Sequence, residues 1–359
     1  MTKNLFKYLL ITVILGFSSC KKDKDQQDDI QIVAGERIVY ISNEGAFGFG
    51  NSSLSIYYPD SGIIENQVFE SINNRKPGDV MQSLSLVDNS LFLIINASNK
   101  IEKADATTLT QSLTIGNLSL PRYLLADDQN HGYVSCWGET GVVKVLDLNT
   151  GSVIKTLPTG SGPEKMLLKN DKLFVCNSGG FATDNTISIF DLNNLEFDTM
   201  LIVGYQPIDI VDFDQNSAWI LCRGKIVYGG GGQIVEETAG SLVKIETSTG
   251  EILDEVIFQP NQHPAHLEIS PDKSILYFGG GYGFHGIFRY QPTTQQLDLN
   301  PLIDKSFYGF NVDPKTGNIY GLEAPTFTQA GWLNVYSPTG FLTNRVKTGI
   351  GPNMVLFKD

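Results

Sequence analysis

Basic residues are scarce in this 359-residue chain, which has 26 Lys and Arg against 39 Asp and Glu and a formal net charge of −13 at pH 7. Proteins that bind nucleic acid use Lys and Arg to neutralise phosphates, so this composition argues strongly against a nucleic acid partner. The same deficit is unsuited to adhesion on anionic lipid through a basic patch. Any attachment to a membrane therefore has to use a lipid anchor.

Cysteine is also rare, with four residues in the whole chain. Cys136, Cys176 and Cys222 fall in three separate apolar segments. An odd number of thiols in separate segments predicts buried small apolar side chains rather than a disulfide framework. No pair of cysteines has the close spacing of a zinc site, so no metal is predicted from them.

The sequence contains no motif of the common enzyme classes. It has no Gly-x-Ser-x-Gly nucleophile elbow, no His-Glu-x-x-His metal motif and no Gly-x-x-x-x-Gly-Lys phosphate loop. Glycines 229–232 lack the strand-to-helix context of a phosphate cradle, and a flexible loop is predicted there. The chain is therefore predicted to be a non-enzymatic protein without a cofactor.

One apolar stretch stands near the start of the chain, at residues 8–17, and it follows Lys3 and Lys7. Ten residues are too few to cross a bilayer as a helix, so residues 1–19 are predicted to be a signal peptide. The small residues before Cys20 resemble the lipobox of bacterial lipoproteins, in which the cysteine becomes the lipidated first residue. Lipidation of Cys20 is the expectation, and secretion with cleavage elsewhere is the alternative.

Residues 20–32 are rich in charge and are predicted to form an acidic, solvated tether. This stretch resembles the Asp-rich segment that directs some Gram-negative lipoproteins to the outer face of the outer membrane. The resemblance implies a lipid-anchored protein that faces the cell exterior. A plain solvated linker is the alternative interpretation.

A repeat organises the remainder of the chain, residues 33–359, which is predicted to be one domain. Seven aromatic residues, spaced 41 to 58 residues apart, each open a short apolar strand that is followed by a loop, a second β-rich run and a polar turn. Units of this length with about four short strands are typical of propeller blades. The fold class predicted is all-β, a seven-bladed β-propeller of four-stranded antiparallel blades. The seven aromatic residues are Tyr40, Phe92, Tyr133, Phe174, Trp219, Tyr277 and Tyr320.

The two ends of the predicted domain complement each other. Residues 349–357 read as a turn and a first strand with no blade after them, whereas the first blade begins at its second strand, residues 37–42. We therefore expect the C-terminal strand to complete blade one, which closes the ring and removes a free sheet edge.

The Gly-x-x-Pro turns before the first strands, the aromatic-led second strands and the turn at residues 147–151 resemble the YVTN-repeat, or YncE-like, seven-bladed propellers. Residues 39–48 and 51–55 are similar to the start of surface propeller lipoproteins that capture cobalamin and pass it to a TonB-dependent outer-membrane transporter. The resemblance implies a small-molecule ligand, with cobalamin or another corrinoid as the best candidate, and such a transporter or another outer-membrane complex as the partner.

The topology of a four-stranded blade brings the turn before the first strand and the loop after the second strand to the same end. The predicted second-to-third-strand loops are long and carry aromatic residues among glycines, which indicates a binding face. The residues expected around the channel mouth at that end are Arg122, Tyr123, Glu164, Lys165, Asp209 and Asn353. The candidate ligand-binding residues are Asn43, Phe47, Phe49, Asn99, Arg122, Trp137, Asn177, Phe181, Tyr282, Phe284 and His285.

Three functional classes remain open from the sequence. A ligand-capturing module is favoured, and a non-catalytic subunit of an outer-membrane transport or secretion complex would use the same aromatic face. A propeller lyase or hydrolase is the third alternative. His263 and His266 are three residues apart on a strand, where side chains point to opposite faces, so ordinary hydrogen bonding is predicted for them rather than a shared metal.

Overall fold

Alternation of apolar and polar residues produces the strands of this protein, because each strand buries one face against its neighbours. The computed structural model describes residues 37–138, 140–281 and 283–359. Over these residues seven four-stranded antiparallel sheets form the blades of a propeller, which confirms the predicted fold. The predicted signal peptide, Cys20, the tether and Tyr282 lie outside the described residues.

Blades one and two contain the chain closure and the short helix. The elements of blade one are β1 (Ile38–Asn43), β2 (Ser53–Tyr58), β3 (Ile63–Glu65) and β30 (Pro352–Lys358), with helix α1 (Val68–Asn73) following β3. The strands of blade two are β4 (Met81–Val87), β5 (Ser90–Ile95), β6 (Lys100–Asp105) and β7 (Gln111–Ile115).

Blades three to seven each follow a simple up-and-down order. Blade three consists of β8 (Pro121–Ala126), β9 (His131–Cys136), β10 (Val142–Asp147) and β11 (Val153–Pro158), and blade four of β12 (Pro163–Lys169), β13 (Lys172–Asn177), β14 (Thr186–Asp191) and β15 (Glu196–Ile202). Blade five consists of β16 (Pro207–Asp212), β17 (Ser217–Cys222), β20 (Ser241–Glu246) and β21 (Ile252–Ile257), with an inserted hairpin of β18 (Lys225–Tyr228) and β19 (Ile234–Thr238). Blade six consists of β22 (His266–Ile269), β23 (Leu276–Gly279), β24 (Ile287–Gln291) and β25 (Gln296–Leu297), and blade seven of β26 (Gly309–Val312), β27 (Ile319–Glu323), β28 (Ala330–Tyr336) and β29 (Leu342–Ile350).

The C-terminal strand closes the ring, as the sequence predicted. β30 pairs with β1 in antiparallel register, with Tyr40 opposite Leu356. The first strand of each blade lies beside the first strands of the two adjacent blades, including β30 beside β26 and β4. An ion pair reinforces the closure, since the Arg37 guanidinium donates two hydrogen bonds of 2.6 and 2.5 Å to the buried carboxylate of Asp313.

The apolar core lies between neighbouring blades. Between blades five and six, for example, Phe258 stacks on Phe278 with 4.3 Å between ring centroids, and Trp219 meets Tyr290 edge to face at 5.4 Å. Such aromatic pairs add directional contact to the burial of apolar area. Cys136, Cys176 and Cys222 are fully buried in these layers, as expected for small apolar side chains.

The glycine run at residues 229–232 lies in the insertion of blade five. It forms the tip of the β18–β19 hairpin, where the backbone N–H of Gly229 donates to the carbonyl of Gln233 at 2.8 Å. The flanking segments pair in register, with Val227 opposite Glu236. No helix in the described part of the chain is long and apolar enough to cross a membrane.

Candidate functional site

A polar cavity of about 230 Å³ opens at one end of the ring. This is the end at which the first strands begin and the second strands finish, and we call it the mouth end. The first strand of every blade faces the ring axis, so polar residues near the start of these strands converge there. The cavity is lined by Glu44, Gln82, Arg122, Tyr123, Lys165, Ile208, Arg223, Ala265, His266, Gly281, Tyr308, Asn311, Asn353 and Met354.

Two ion pairs between adjacent blades form part of the cavity wall. The Arg122 guanidinium donates two hydrogen bonds of 3.1 Å to Glu164, and the Lys165 ammonium lies 2.7 Å from Asp209. Both carboxylates are 1% exposed. Burial opposes the charge of Lys165, but the attraction of Asp209 prevails and raises the pKa of the ammonium. Breaking either pair leaves a buried carboxylate without its cation, which is strongly destabilising.

Two further carboxyl groups, Glu44 and Glu268, have no basic partner at hydrogen-bonding distance among the described residues. Glu44 accepts hydrogen bonds from the Tyr308 hydroxyl at 3.2 Å and from the Asn353 amide at 2.9 Å, and Glu268 accepts from the Asn311 amide at 2.8 Å. Burial raises the pKa of each carboxyl to about 7. The charge of the cavity therefore changes near neutral pH.

His266 and Arg223 are two further ionisable groups of the cavity. His266 Nε2 lies 3.1 Å from the Tyr308 carbonyl oxygen, and burial together with the positive charges of Lys165 and Arg223 lowers its pKa to about 3. The imidazole is therefore neutral at physiological pH, with Nε2–H as the donor to that carbonyl. Arg223 Nε is buried and has no hydrogen-bond partner in the described residues, and burial lowers the pKa of this guanidinium.

Exposed phenylalanines stand on loops at the same end as the cavity. Phe47 and Phe49 lie on the β1–β2 loop and are 79% and 76% exposed, while Phe181 on the β13–β14 loop is 87% exposed. The β1–β2 loop is held in place because the Gly48 N–H donates to the Asp79 carboxylate at 2.8 Å. The rings project into solvent from loops with ordered backbone contacts rather than from unstructured chain.

We call the exposed phenylalanines Phe47, Phe49 and Phe181 the rim. Trp137 connects this rim to the cavity. Its ring meets Phe181 edge to face with 5.4 Å between centroids, and the Arg122 guanidinium lies over the indole with its carbon 4.1 Å from the ring centroid.

Among the other predicted residues, Asn99 is exposed and its side-chain oxygen accepts from the Leu120 N–H at 2.9 Å. Exposed His285 bonds the Asp304 carboxylate at 2.7 Å.

Three predicted ligand-binding residues are not on the surface. Asn43 and Asn177 are fully buried, and their amides donate to Ser55 and Ser188 on the adjacent third strands at 2.9 Å. These asparagines join strands within their own blades and are not exposed at the mouth end. Phe284 is 8% exposed because it packs on Phe288, with 5.9 Å between ring centroids, so it belongs to the core of blade six.

The sequence placed six residues near the mouth, and the structure has all of them in or directly behind the cavity wall: Arg122, Tyr123, Glu164, Lys165, Asp209 and Asn353. Sequence reasoning did not identify several other residues in or directly behind the cavity wall. Their position in the repeat could have identified them, because most lie near the start of a first strand or the end of a second strand. The residues missed are Glu44, Gln82, Arg223, Glu268, Tyr308 and Asn311.

His263 and His266 do not form a metal site together. His263 Nδ1 lies 2.7 Å from the Arg223 carbonyl oxygen and its Nε2 lies 3.1 Å from Glu237, whereas His266 faces the cavity. Within residues 37–138, 140–281 and 283–359, no group of three or more His, Cys, Asp and Glu side chains is arranged to hold a metal ion. Both histidines form hydrogen bonds in the structure.

Several solved bacterial proteins are similar in structure to this chain. A protein from Bacteroides fragilis NCTC 9343, with the provisional name 6-phosphogluconolactonase, matches with a TM-score of 0.66 and 14% identity over 91% of this chain and 99% of its own. The Pseudomonas aeruginosa periplasmic gluconolactonase matches with a TM-score of 0.63 and 14% identity over 89% of this chain and 99% of its own. A quinoprotein alcohol dehydrogenase-like protein from Bacteroides thetaiotaomicron VPI-5482 matches with a TM-score of 0.65 and 16% identity over 88% and 77%. At these identities the likeness establishes the fold alone.

The sequence matches no curated protein. One family does match, and it spans residues 38–347, which run from β1 in blade one into β29 in blade seven. The chain therefore belongs to the DUF5074 family, described as a domain of unknown function.

Proposed function

We propose that this protein is an outer-membrane surface lipoprotein that captures a small-molecule ligand on the mouth end of its propeller and delivers it to a TonB-dependent outer-membrane transporter. The proposed ligand is cobalamin or a close corrinoid. The protein acts in this proposal as a binding protein and not as an enzyme. The lipid on Cys20 is its membrane anchor.

The observation that carries this proposal is the set of three phenylalanines around the cavity mouth. Phe47, Phe49 and Phe181 are each more than three-quarters exposed, and all three stand at the same end of the ring. Apolar rings that are held in solvent lose contact with water when a ligand covers them, and this gives favourable binding free energy. Aromatic side chains are also enriched among the residues that dominate binding energy.

The shape of the mouth end favours a broad ligand that rests on the rim. A cavity of about 230 Å³ lies below the roughly 300–1,000 Å³ of pockets that enclose drug-sized molecules, so a corrinoid cannot be enclosed there. A corrin has a wide apolar surface with amides around its edge. The exposed rings of Phe47 and Phe181 suit the apolar surface, and the proposal assigns contact with the amides to Asn99 and Arg122.

Calorimetry with cyanocobalamin and the full-length protein purified in detergent tests this assignment. The expected result is saturable binding at micromolar protein that weakens when Phe47 and Phe181 are both changed to alanine. Phe341→Ala is the matched control, because Phe341 is 73% exposed but lies in the turn between β28 and β29, at the opposite end of the ring. No detectable heat with the wild-type protein would exclude cobalamin.

The same phenylalanines also favour a second function, as the contact surface of a structural subunit in an outer-membrane complex. Protein interfaces commonly centre on exposed aromatic anchors. Crosslinking from position 181 in intact cells separates the two functions. A crosslink to a TonB-dependent transporter that persists without added corrinoid, in a protein that binds no cyanocobalamin, would support the structural role instead.

A further inference from the structure

The cavity at the mouth end contains three cationic side chains, and they differ in whether a carboxylate forms an ion pair with them. Arg122 and Lys165 each have a buried carboxylate behind them, Glu164 and Asp209. Arg223 has no ion pair and no side-chain hydrogen bond in the described part of the chain, although its Nε is buried. Arg223 directly follows β17 and reaches the cavity from the second-strand side of blade five.

The carboxylate of Glu164 attracts the Arg223 guanidinium and opposes the lowering of its pKa by burial. Glu164 already accepts both of its hydrogen bonds from Arg122. One carboxylate therefore serves two guanidinium groups. A charged group withdrawn from water without its own counterion is costly, so this arrangement leaves a positive charge available for a ligand.

Glu44 in the cavity wall and Glu268, which bonds the wall residue Asn311, do not supply this counterion. Glu44 is held by Tyr308 and Asn353, and Glu268 is held by Asn311. Burial raises the pKa of both carboxyls to about 7, so a substantial part of each population is uncharged at neutral pH. His266 is neutral because its pKa is lowered to about 3 by burial and by the nearby cations Lys165 and Arg223.

The geometry points to an oxyanion-binding site at Arg223 inside the central cavity, one that takes a small carboxylate or phosphate group. The planar guanidinium presents parallel N–H donors that match two oxygens of either group. The Tyr123 phenol lines the same cavity, and burial raises its pKa to about 12, so its hydroxyl remains protonated as a further donor. The cavity volume of about 230 Å³ limits the occupant to a small molecule or to one charged group of a larger ligand.

This site does not depend on the corrinoid proposal, because it rests on the cavity charges and not on the rim phenylalanines. The test uses inorganic phosphate and acetate, titrated separately into the full-length protein in detergent at constant ionic strength. The change in melting temperature and the calorimetric heat are both measured. The expected result is saturable stabilisation by at least one of the two anions. Stabilisation by phosphate alone or by acetate alone identifies the preferred oxyanion.

Arg223→Gln is expected to raise the dissociation constant of that anion about tenfold or more. It is not expected to lower the melting temperature of the anion-free protein, because the variant removes a buried charge that has no partner. A residue with a purely structural role would show the opposite pattern. Arg223→Lys, which keeps the charge but loses the planar fork, is expected to bind with intermediate affinity.

Arg345→Gln is the matched control, since Arg345 lies on β29 in the outermost position of blade seven, away from the cavity. This variant is expected to bind the anion as tightly as the wild-type protein. Absence of stabilisation by either anion in the wild-type protein would overturn the assignment. Equal affinity of the wild-type and Arg223→Gln proteins would also overturn it.

Discussion

The guanidinium of Arg122 stacks on the indole of Trp137, with its carbon 4.1 Å from the ring centroid. Arg122 also forms the bidentate pair with buried Glu164, so the same side chain contacts both the charged cavity and the aromatic rim. Trp137 continues the contact outward to Phe181 at 5.4 Å. Phe181 is therefore linked through Trp137 and Arg122 to the buried carboxylate of Glu164 in the cavity.

Trp137→Ala is expected to weaken binding of cyanocobalamin by about 2 kcal/mol or more, roughly 30-fold in the dissociation constant. The change removes the ring that supports Phe181 and the face on which Arg122 rests. Trp137→Phe keeps an aromatic face and is expected to recover most of the affinity. Calorimetry on the three proteins measures the effect, and an unchanged dissociation constant in Trp137→Ala would remove Trp137 from the binding surface.

Arg37→Met is expected to lower the free energy of unfolding by about 3 kcal/mol, because it leaves the fully buried carboxylate of Asp313 without its cation. Urea unfolding at neutral pH measures the loss. The double variant Arg37→Met/Asp313→Asn removes the uncompensated charge and is expected to regain part of that stability. A double variant less stable than Arg37→Met would contradict this explanation.

The Arg37–Asp313 pair also predicts how the stability of the fold depends on pH in the acidic range. Burial opposes the charge of Asp313, but the hydrogen bonds from Arg37 prevail and lower its pKa below the usual 3.8. A carboxyl with a lowered folded-state pKa stabilises the fold above its unfolded-state pKa, and this contribution is lost as the pH falls. The difference in stability between wild type and Arg37→Met is therefore expected to be constant at neutral pH and to shrink below about pH 4.

The ring architecture was predictable from the sequence because it rests on local repetition. Tyr40, Phe92 and their equivalents occupy the same place in every second strand, and the strand left over at the C-terminus matches the strand missing from blade one. Phe47 and Phe181 were predicted to be exposed because glycines flank them, and in both cases no neighbouring blade covers the ring.

The same reasoning did not extend to Phe284, which also has glycines beside it. Its ring meets Phe288 in the next strand, and no local pattern distinguishes this loop from the one that carries Phe181. Asn43 and Asn177 illustrate the opposite case. Each ends a second strand, and each bonds the third residue of the following strand, Ser55 or Ser188, so a repeated Asn and Ser spacing signalled a structural role.

The charged cavity was only partly predictable because its pairs join residues from different blades. Lys165 and Asp209 are separated by 44 residues, and Tyr308 and Glu44 by 264. Their positions within the repeat indicate that they share an end of the ring. The particular carboxylate that each cation contacts depends on blade packing, so the isolation of Arg223 is visible only in the structure.

Lipidation is expected at Cys20, which lies outside the described residues. Metabolic labelling with a palmitate analogue is expected to mark the wild-type protein and not Cys20→Ala, because this is the thiol that follows the predicted signal peptide. Cys136→Ala is the matched control, since that thiol is buried in blade three. Equal labelling of Cys20→Ala would contradict lipidation at this residue. Digestion by protease added to intact cells tests exposure at the cell surface. Full protection would place the protein on the periplasmic side of the outer membrane.

Glu44 and Glu268 predict that the fold becomes less stable as the pH rises through neutrality. Burial raises the pKa of each carboxyl from 4.5 to about 7, so the folded protein holds protons that the unfolded chain releases. A group of this kind contributes its stability below its unfolded-state pKa of 4.5 and loses it as the pH rises through about 7. The shift corresponds to about 3 kcal/mol for Glu44.

Urea unfolding between about pH 5 and pH 8 is expected to show this decline in the wild-type protein and a shallower decline in Glu44→Gln, because the glutamine amide is neutral throughout. Glu268→Gln is expected to remove a comparable part of the slope. Glu251→Gln is the control, since Glu251 is exposed at the turn between β20 and β21 and is expected to leave the slope unchanged. A Glu44→Gln/Glu268→Gln double variant that retains the full wild-type slope would show that these two carboxyls are not its source.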